Sequence, residues 1–147
     1  LAIALSSTNT GTGKANQAFG MGNGSQIRTL APGANETLDL TTGLKNPLNE
    51  DISGASAFAR VRLYYVSHKS TSVARGGIVL GTGANPFPGL VTAAAGTLTL
   101  KPGELFVFGS LATNGMVVSG GAKTILVTNA DGANAATYEI GLIGAVT

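Results

Sequence analysis

One histidine, seven carboxylates and no cysteine make up most of the acid, base and ligand chemistry in this chain. Without cysteine there is no thiolate nucleophile, no disulfide framework and no Cys-ligated metal, and a single histidine excludes multi-histidine metal chemistry. His68 stands between Ser67 and Lys69. A Ser-His-acid triad converges from distant segments, so spacing alone does not exclude one, but no G-x-S-x-G nucleophile elbow occurs. His68 therefore reads as a surface residue at the polar end of a strand. Glycoside hydrolysis needs two carboxylates facing each other across a cleft. Glu50 and Asp51 are merely adjacent, and Glu104, Asp131 and Glu139 fall in or beside expected turns and strands. Asp131 with Asn129 and Asn134 offers oxygens for a calcium ion, yet N-x-D-G-x-N more commonly builds a side-chain-capped turn, and no second carboxylate is near. No enzyme activity, metal or cofactor is expected.

The motifs that suggest phosphate or nucleic acid fail on detail. Gly11-Thr12-Gly13-Lys14 misplaces the first glycine of a phosphate loop and has Ala15 where the hydroxyl belongs. The glycines at 20, 22 and 24 and at 81 and 83 lack a strand-turn-helix setting. Asn23 and Asn35 open glycosylation sequons, which matter only on a eukaryotic secretory route. Arg60, Arg62 and Tyr64 are the nearest approach to a basic and aromatic stacking strip for single-stranded nucleic acid, and a strand-face arginine pair more often makes interface contacts. The net charge of +2 comes from scattered residues. Neither nucleic acid nor membrane is expected as a partner, since no K/R-rich run and no stretch of 18 apolar residues occurs. The opening at Leu1 in place of Met suggests that something upstream was removed or left out.

Small residues dominate: Gly, Ala and Thr are 60 of the 147. Leu, Ile, Val and Phe number 38, enough for one hydrophobic core. Residues 1–25, crowded with Gly, Ser, Thr and Asn, read as a flexible N-terminal arm, and 26–147 as a single domain. In that domain short apolar runs of period near 2 recur between turn residues, at 26–30, 37–42, 58–68, 77–81, 97–100, 104–109, 115–119, 123–129 and 136–144. This rhythm predicts an all-β, antiparallel, jelly-roll-like sandwich with at most a helical turn. Ala31-Pro32-Gly33-Ala34 and Lys101-Pro102-Gly103-Glu104 place Pro and Gly as a type II turn requires. Asn114-Gly115 suggests a tight hairpin turn between the runs at 106–109 and 116–119.

Two runs bear on partners. In 58–68 the odd positions Ala59, Val61, Leu63 and Tyr65 form an apolar face, with Arg60, Arg62, Tyr64 and His68 opposite. Leu105 to Phe108 is apolar on both faces: Leu105 and Val107 point one way, Phe106 and Phe108 the other. One pair fills the core and the other needs cover, which favours a homo-oligomer. Arg60, Arg62, Tyr64, Phe106 and Phe108 are the expected interface residues.

From Phe58 to Thr147, about 60% of the chain, the pattern resembles small all-β structural proteins of tailed bacteriophages. The residues carrying this are a strand ending in a polar turn (61–71), Asn85-Pro86-Phe87, T-L-x-L-x-P-G at 97–103, a short L-F-V-F strand, and A-T-Y-x-I-x-L-I-G-A at 136–145. The resemblance implies a virion component that decorates or cements the capsid shell or joins a neck or fibre assembly. It supplies no catalytic residues. The reading is a virion structural protein on the capsid surface, a homotrimer contacting the major capsid protein or other virion proteins. A carbohydrate-binding jelly-roll module is the alternative.

Overall fold

The computed structural model describes residues 27–42, 58–72, 76–81, 83–87, 96–110 and 115–146. Nine strands follow one another: β1 (Ile27–Leu30), β2 (Asn35–Asp39), β3 (Phe58–His68), β4 (Ile78–Gly81), β5 (Thr97–Leu100), β6 (Leu105–Gly109), β7 (Met116–Val117), β8 (Thr124–Asn129) and β9 (Ala136–Val146). Each strand overlaps one of the nine period-2 runs, β2 starting two residues before its run and β9 ending two residues beyond its own. Among the described residues there is no helix. The arm at 1–25 and the motifs at Gly11–Lys14 and Asn23 lie outside the described residues, as do Glu50 and Asp51.

The strands form two antiparallel sheets, ordered β1-β9-β3-β6 and β2-β8-β4-β5. Setting the two-residue β7 aside, the eight strands follow the order of a jelly roll, crossing between the sheets at every step except β4 to β5, with each sheet drawing strands from both ends of the chain. The two Pro-Gly turns make matching crossings: Ala31–Ala34 carries the chain from the first sheet to the second, and Lys101–Glu104 carries it back. Both have the expected geometry. Gly33 and Gly103 adopt φ of 66° and 82°, and the closing bonds run from Ala34 N–H to Ala31 O (3.1 Å) and from Glu104 N–H to Lys101 O (3.0 Å). Among the described residues β7 does not pair with β6 as the hairpin expected at Asn114-Gly115 requires. Strand β7 pairs with Arg60 and Val61 of β3, in line with β6, which pairs with residues 63–67 of the same strand. Asn114 itself lies outside the described residues.

Between the sheets lies one core, in which Leu38, Val61, Tyr64, Val66, Ile78, Leu80, Val127, Tyr138, Ile140 and Leu142 are buried. The Asn85-Pro86-Phe87 segment plugs one side of it. Asn85 takes the left-handed conformation (φ 54°), which Asn tolerates. Its carbonyl then accepts the N–H groups of Lys123 and Thr124, both at 3.0 Å. Phe87 is thereby buried, its ring edge-on to Tyr64 at 6.1 Å.

Candidate interface on the first sheet

Strand β3 decides which side chains face out. Against β9 it carries two irregularities: Phe58 and Arg60 pair with consecutive residues Val146 and Ala145, and Val61 and Leu63 pair with consecutive residues Gly144 and Ile143. Ala59 and Arg62 are the extra residues, and each β-bulge shifts the inward and outward alternation by one. Gly144 opposite this stretch is required by space, since a Cβ there would lie 2.1 Å from the Arg60 carbonyl oxygen. Beyond Arg62 the even residues Tyr64, Val66 and His68 turn inward and Leu63, Tyr65 and Ser67 outward.

The five expected interface residues are therefore not on one outer face. Tyr64 is fully buried, and Phe106 and Phe108 pack partly buried against the core. These three rings form one cluster, with Tyr64 5.9 Å from Phe106 and 5.8 Å from Phe108, and the two Phe rings stacked at 6.3 Å. Strand pairing places them, because Tyr64 lies opposite Phe108 and Val66 opposite Phe106. Of the expected set, Arg62 alone is exposed, and Arg60 is half-buried. The pair that needs cover is the other one: Leu105 and Val107 are 41% and 45% exposed.

Leu105 and Val107 belong to an outward apolar row. Tyr65 lies directly between Val107 and Gly141, and Leu63 between Gly109 and Ile143. The Tyr65 ring lies over Gly141, where a Cβ would come within 2.3 Å of it. The Tyr65 hydroxyl donates to Glu139 at 2.6 Å, and Lys69 approaches the other Glu139 oxygen at 3.3 Å. The row is thus an aromatic and aliphatic strip ending in a charged corner.

His68, expected on the surface, is buried. The bulge at Arg62 places it on the same inner face as Val61, where its Nδ1 donates to the Leu100 carbonyl oxygen at 3.2 Å. Among the described residues, no group bonds its Nε2. Among the described residues neither a serine hydroxyl nor a carboxylate bonds it as a triad would need. Asp131 is engaged as a turn cap. One carboxylate oxygen accepts the N–H groups of Ala133 (2.8 Å) and Asn134 (3.0 Å), and the other accepts that of Gly76 (2.9 Å). These backbone donors hold its pKa below the ordinary carboxylate range. Asn129 completes the staple, its Oδ1 accepting Asp131 N–H at 2.9 Å and its Nδ2 reaching the carbonyls of Ala31 (3.0 Å) and Asn134 (2.8 Å). No group of three or more His, Cys, Asp or Glu able to hold a metal ion occurs among the described residues. A crevice between Tyr64, Gly83, Phe87 and Thr124 has about 10 Å³ of room, which suits one water and not a sugar ring.

Compared with known proteins, the chain matches no family model, no curated protein and no solved structure.

Proposed function

We propose that this chain is a structural protein of a virus particle, a capsid decoration or other accessory component that binds copies of itself and the major capsid protein or another virion protein. The observation that carries this reading is a jelly-roll domain whose first sheet presents an apolar strip on its outer face, exposed at Leu105 and Val107 and half-buried at Leu63 and Tyr65. Jelly rolls serve as capsid building blocks and as lectins. Fold alone does not choose between them. The strip favours a protein surface as the partner, because carbohydrate platforms pair stacking aromatics with free polar groups, and here the Tyr65 hydroxyl is already committed to Glu139. No catalytic role, cofactor, nucleic acid or membrane enters the proposal, and the sequence reading gives a homotrimer as the assembled form. Protein identification by mass spectrometry on gradient-banded particles of the encoding virus tests it. Peptides of this chain in stoichiometric amount are expected; their absence from banded particles, with binding on a glycan array, would replace this reading by the carbohydrate-binding one.

A further inference from the structure

Among the described residues the sheets end on β1, β2, β5, β6 and the two-residue β7, and all of these but β6 are charged, polar on their outward positions or too short to template another chain. Strand β1 carries Arg28, and β2 carries Glu36 and Asp39. Strand β5 shows the polar Thr97 and Thr99 to solvent, and β7 spans Met116 and Val117 alone. Edges are protected in this way because a free row of N–H and C=O groups is a template for another strand. Strand β6, Leu-Phe-Val-Phe-Gly, has no charge and no proline, and its outward side chains are exposed.

The backbone shows which groups of β6 are open. His68 N–H donates to Glu104 O at 2.9 Å and Ser110 N–H donates to Arg62 O at 2.8 Å, one bond at each end of the β3–β6 ladder. In an antiparallel ladder hydrogen-bonded pairs alternate. Phe106 and Phe108 therefore direct their N–H and C=O groups at β3, and Leu105, Val107 and Gly109 direct theirs away from it. Among the described residues no strand lies beyond them.

We propose that this edge pairs with β6 of a second copy, antiparallel about a two-fold axis that passes beside Val107. The reading rests on the self-assembly proposed above, and its two-fold contact gives a dimer in place of the homotrimer expected from the sequence. A five-residue strand centred on Val107 is its own complement in this register. Val107 meets Val107 of the other copy, and Leu105 meets Gly109, whose missing side chain leaves room for it. All three outward-directed residues then find hydrogen-bonding partners in the other copy. Charge agrees with this register. Glu104, whose Oε2 accepts Lys101 N–H at 2.7 Å, comes opposite Ser110 of the second copy, and Ser110 lies against Arg62 on β3, so charges of opposite sign stand two strand spacings apart, about 10 Å between Cα atoms. The two-fold repeats this pair. The two first sheets become one continuous sheet, with the apolar strips running together on its outer face.

The register supplies its own test. Val107→Lys and Val107→Glu each set like charges directly opposite one another across the axis, at an outward position where the monomer fold survives. Light scattering after size exclusion, with circular dichroism alongside, is run on the wild type, each variant and their equimolar mixture. Expected are a wild type at twice 14.6 kDa, each variant alone at 14.6 kDa with unchanged dichroism, and recovery of the doubled mass in the mixture. Variants that keep the wild-type mass, or a mixture that does not recover, overturn the pairing. A wild-type trimer overturns the two-fold contact and leaves self-assembly standing, whereas a wild-type monomer removes both.

Discussion

Arg28 and Glu36 belong to opposite sheets and meet in a two-pronged ion pair across the corner where the chain passes from β1 to β2. The Arg28 Nε donates to Glu36 at 2.9 Å and its terminal nitrogen to the second carboxylate oxygen, while the buried Tyr138 hydroxyl adds a third bond to the same group. The corner beside the Ala31–Ala34 turn is thus locked by side chains as well as backbone. Burial raises the Glu36 pKa, but the donors from Arg28 and Tyr138 and the Arg28 charge outweigh it, so the net shift is downward from 4.5.

A depressed carboxylate contributes stability that is complete above its unfolded pKa and lost as pH falls through its folded one. The melting temperature is therefore expected to hold steady with respect to this group above about pH 5 and to fall progressively below 4.5. Replacing Glu36 by Gln should cost about 1–3 kcal/mol at neutral pH and flatten the acid limb. Melts from pH 7 to 3 check both; an equally steep acid limb in the variant would remove Glu36 from the account.

Tyr64 is the converse case, a buried hydroxyl with no hydrogen-bond partner among the described residues. Burial alone pushes its pKa upward. Its ring is held by Phe87, Phe106 and Phe108, so the packing does not depend on the oxygen. Tyr64→Phe is expected to leave stability unchanged or raise it by up to about 1–3 kcal/mol, the usual penalty of an unsatisfied buried polar group. Chemical denaturation measures this, and a clear loss would mean that the hydroxyl has a partner.

The two faces of β6 should respond oppositely to substitution. Phe106 and Phe108 face the core, and truncating a buried Phe costs roughly 3–5 kcal/mol, with partly buried rings at the low end. Ser at both positions is expected to unfold a domain whose whole stability is of the usual 5–15 kcal/mol. Ser at Leu105 and Val107 is expected to leave a folded protein that no longer self-associates. Circular dichroism and sedimentation separate the outcomes, and unfolding by the outward pair would contradict the assignment of faces.

How much of this was legible in the sequence differs between elements and faces. All nine strands follow from period-2 runs bounded by turn residues, and both Pro-Gly turns from the φ preferences of those two residue types. Which way Tyr64 points was not legible. The extra residue Arg62 reverses the phase of β3 between the inward Val61 and Tyr64, and a bulge leaves no mark in the alternation of one strand because it is a property of the pairing with β9. Reading the strand as unbroken put Tyr64 and His68 outside and Tyr65 inside. The same ambiguity hid β6: a strand apolar on both faces says that something must cover each side, and only its pairing with the inward Tyr64 and Val66 shows that the Phe side meets the core. Arg28, Glu36 and Tyr138 carried no motif at all, since three separated residues become neighbours only when the sheets close.

Asp131 is expected to behave as a turn cap and not as a metal ligand, since both of its oxygens already accept backbone donors. Thermal melts with chelator and with added calcium should coincide. A shift of more than a few degrees, which for a domain of this size is roughly 1–2 kcal/mol, would assign the Asn129–Asn134 turn a metal.

The claim that this is a structural protein of the particle surface is tested most directly by locating the chain on intact virions. Gold-labelled antibody against the purified domain, applied to unbroken particles of the encoding virus and viewed by electron microscopy, should decorate the capsid exterior in a regular, saturable pattern. Particles that stay unlabelled both intact and after disruption would contradict it.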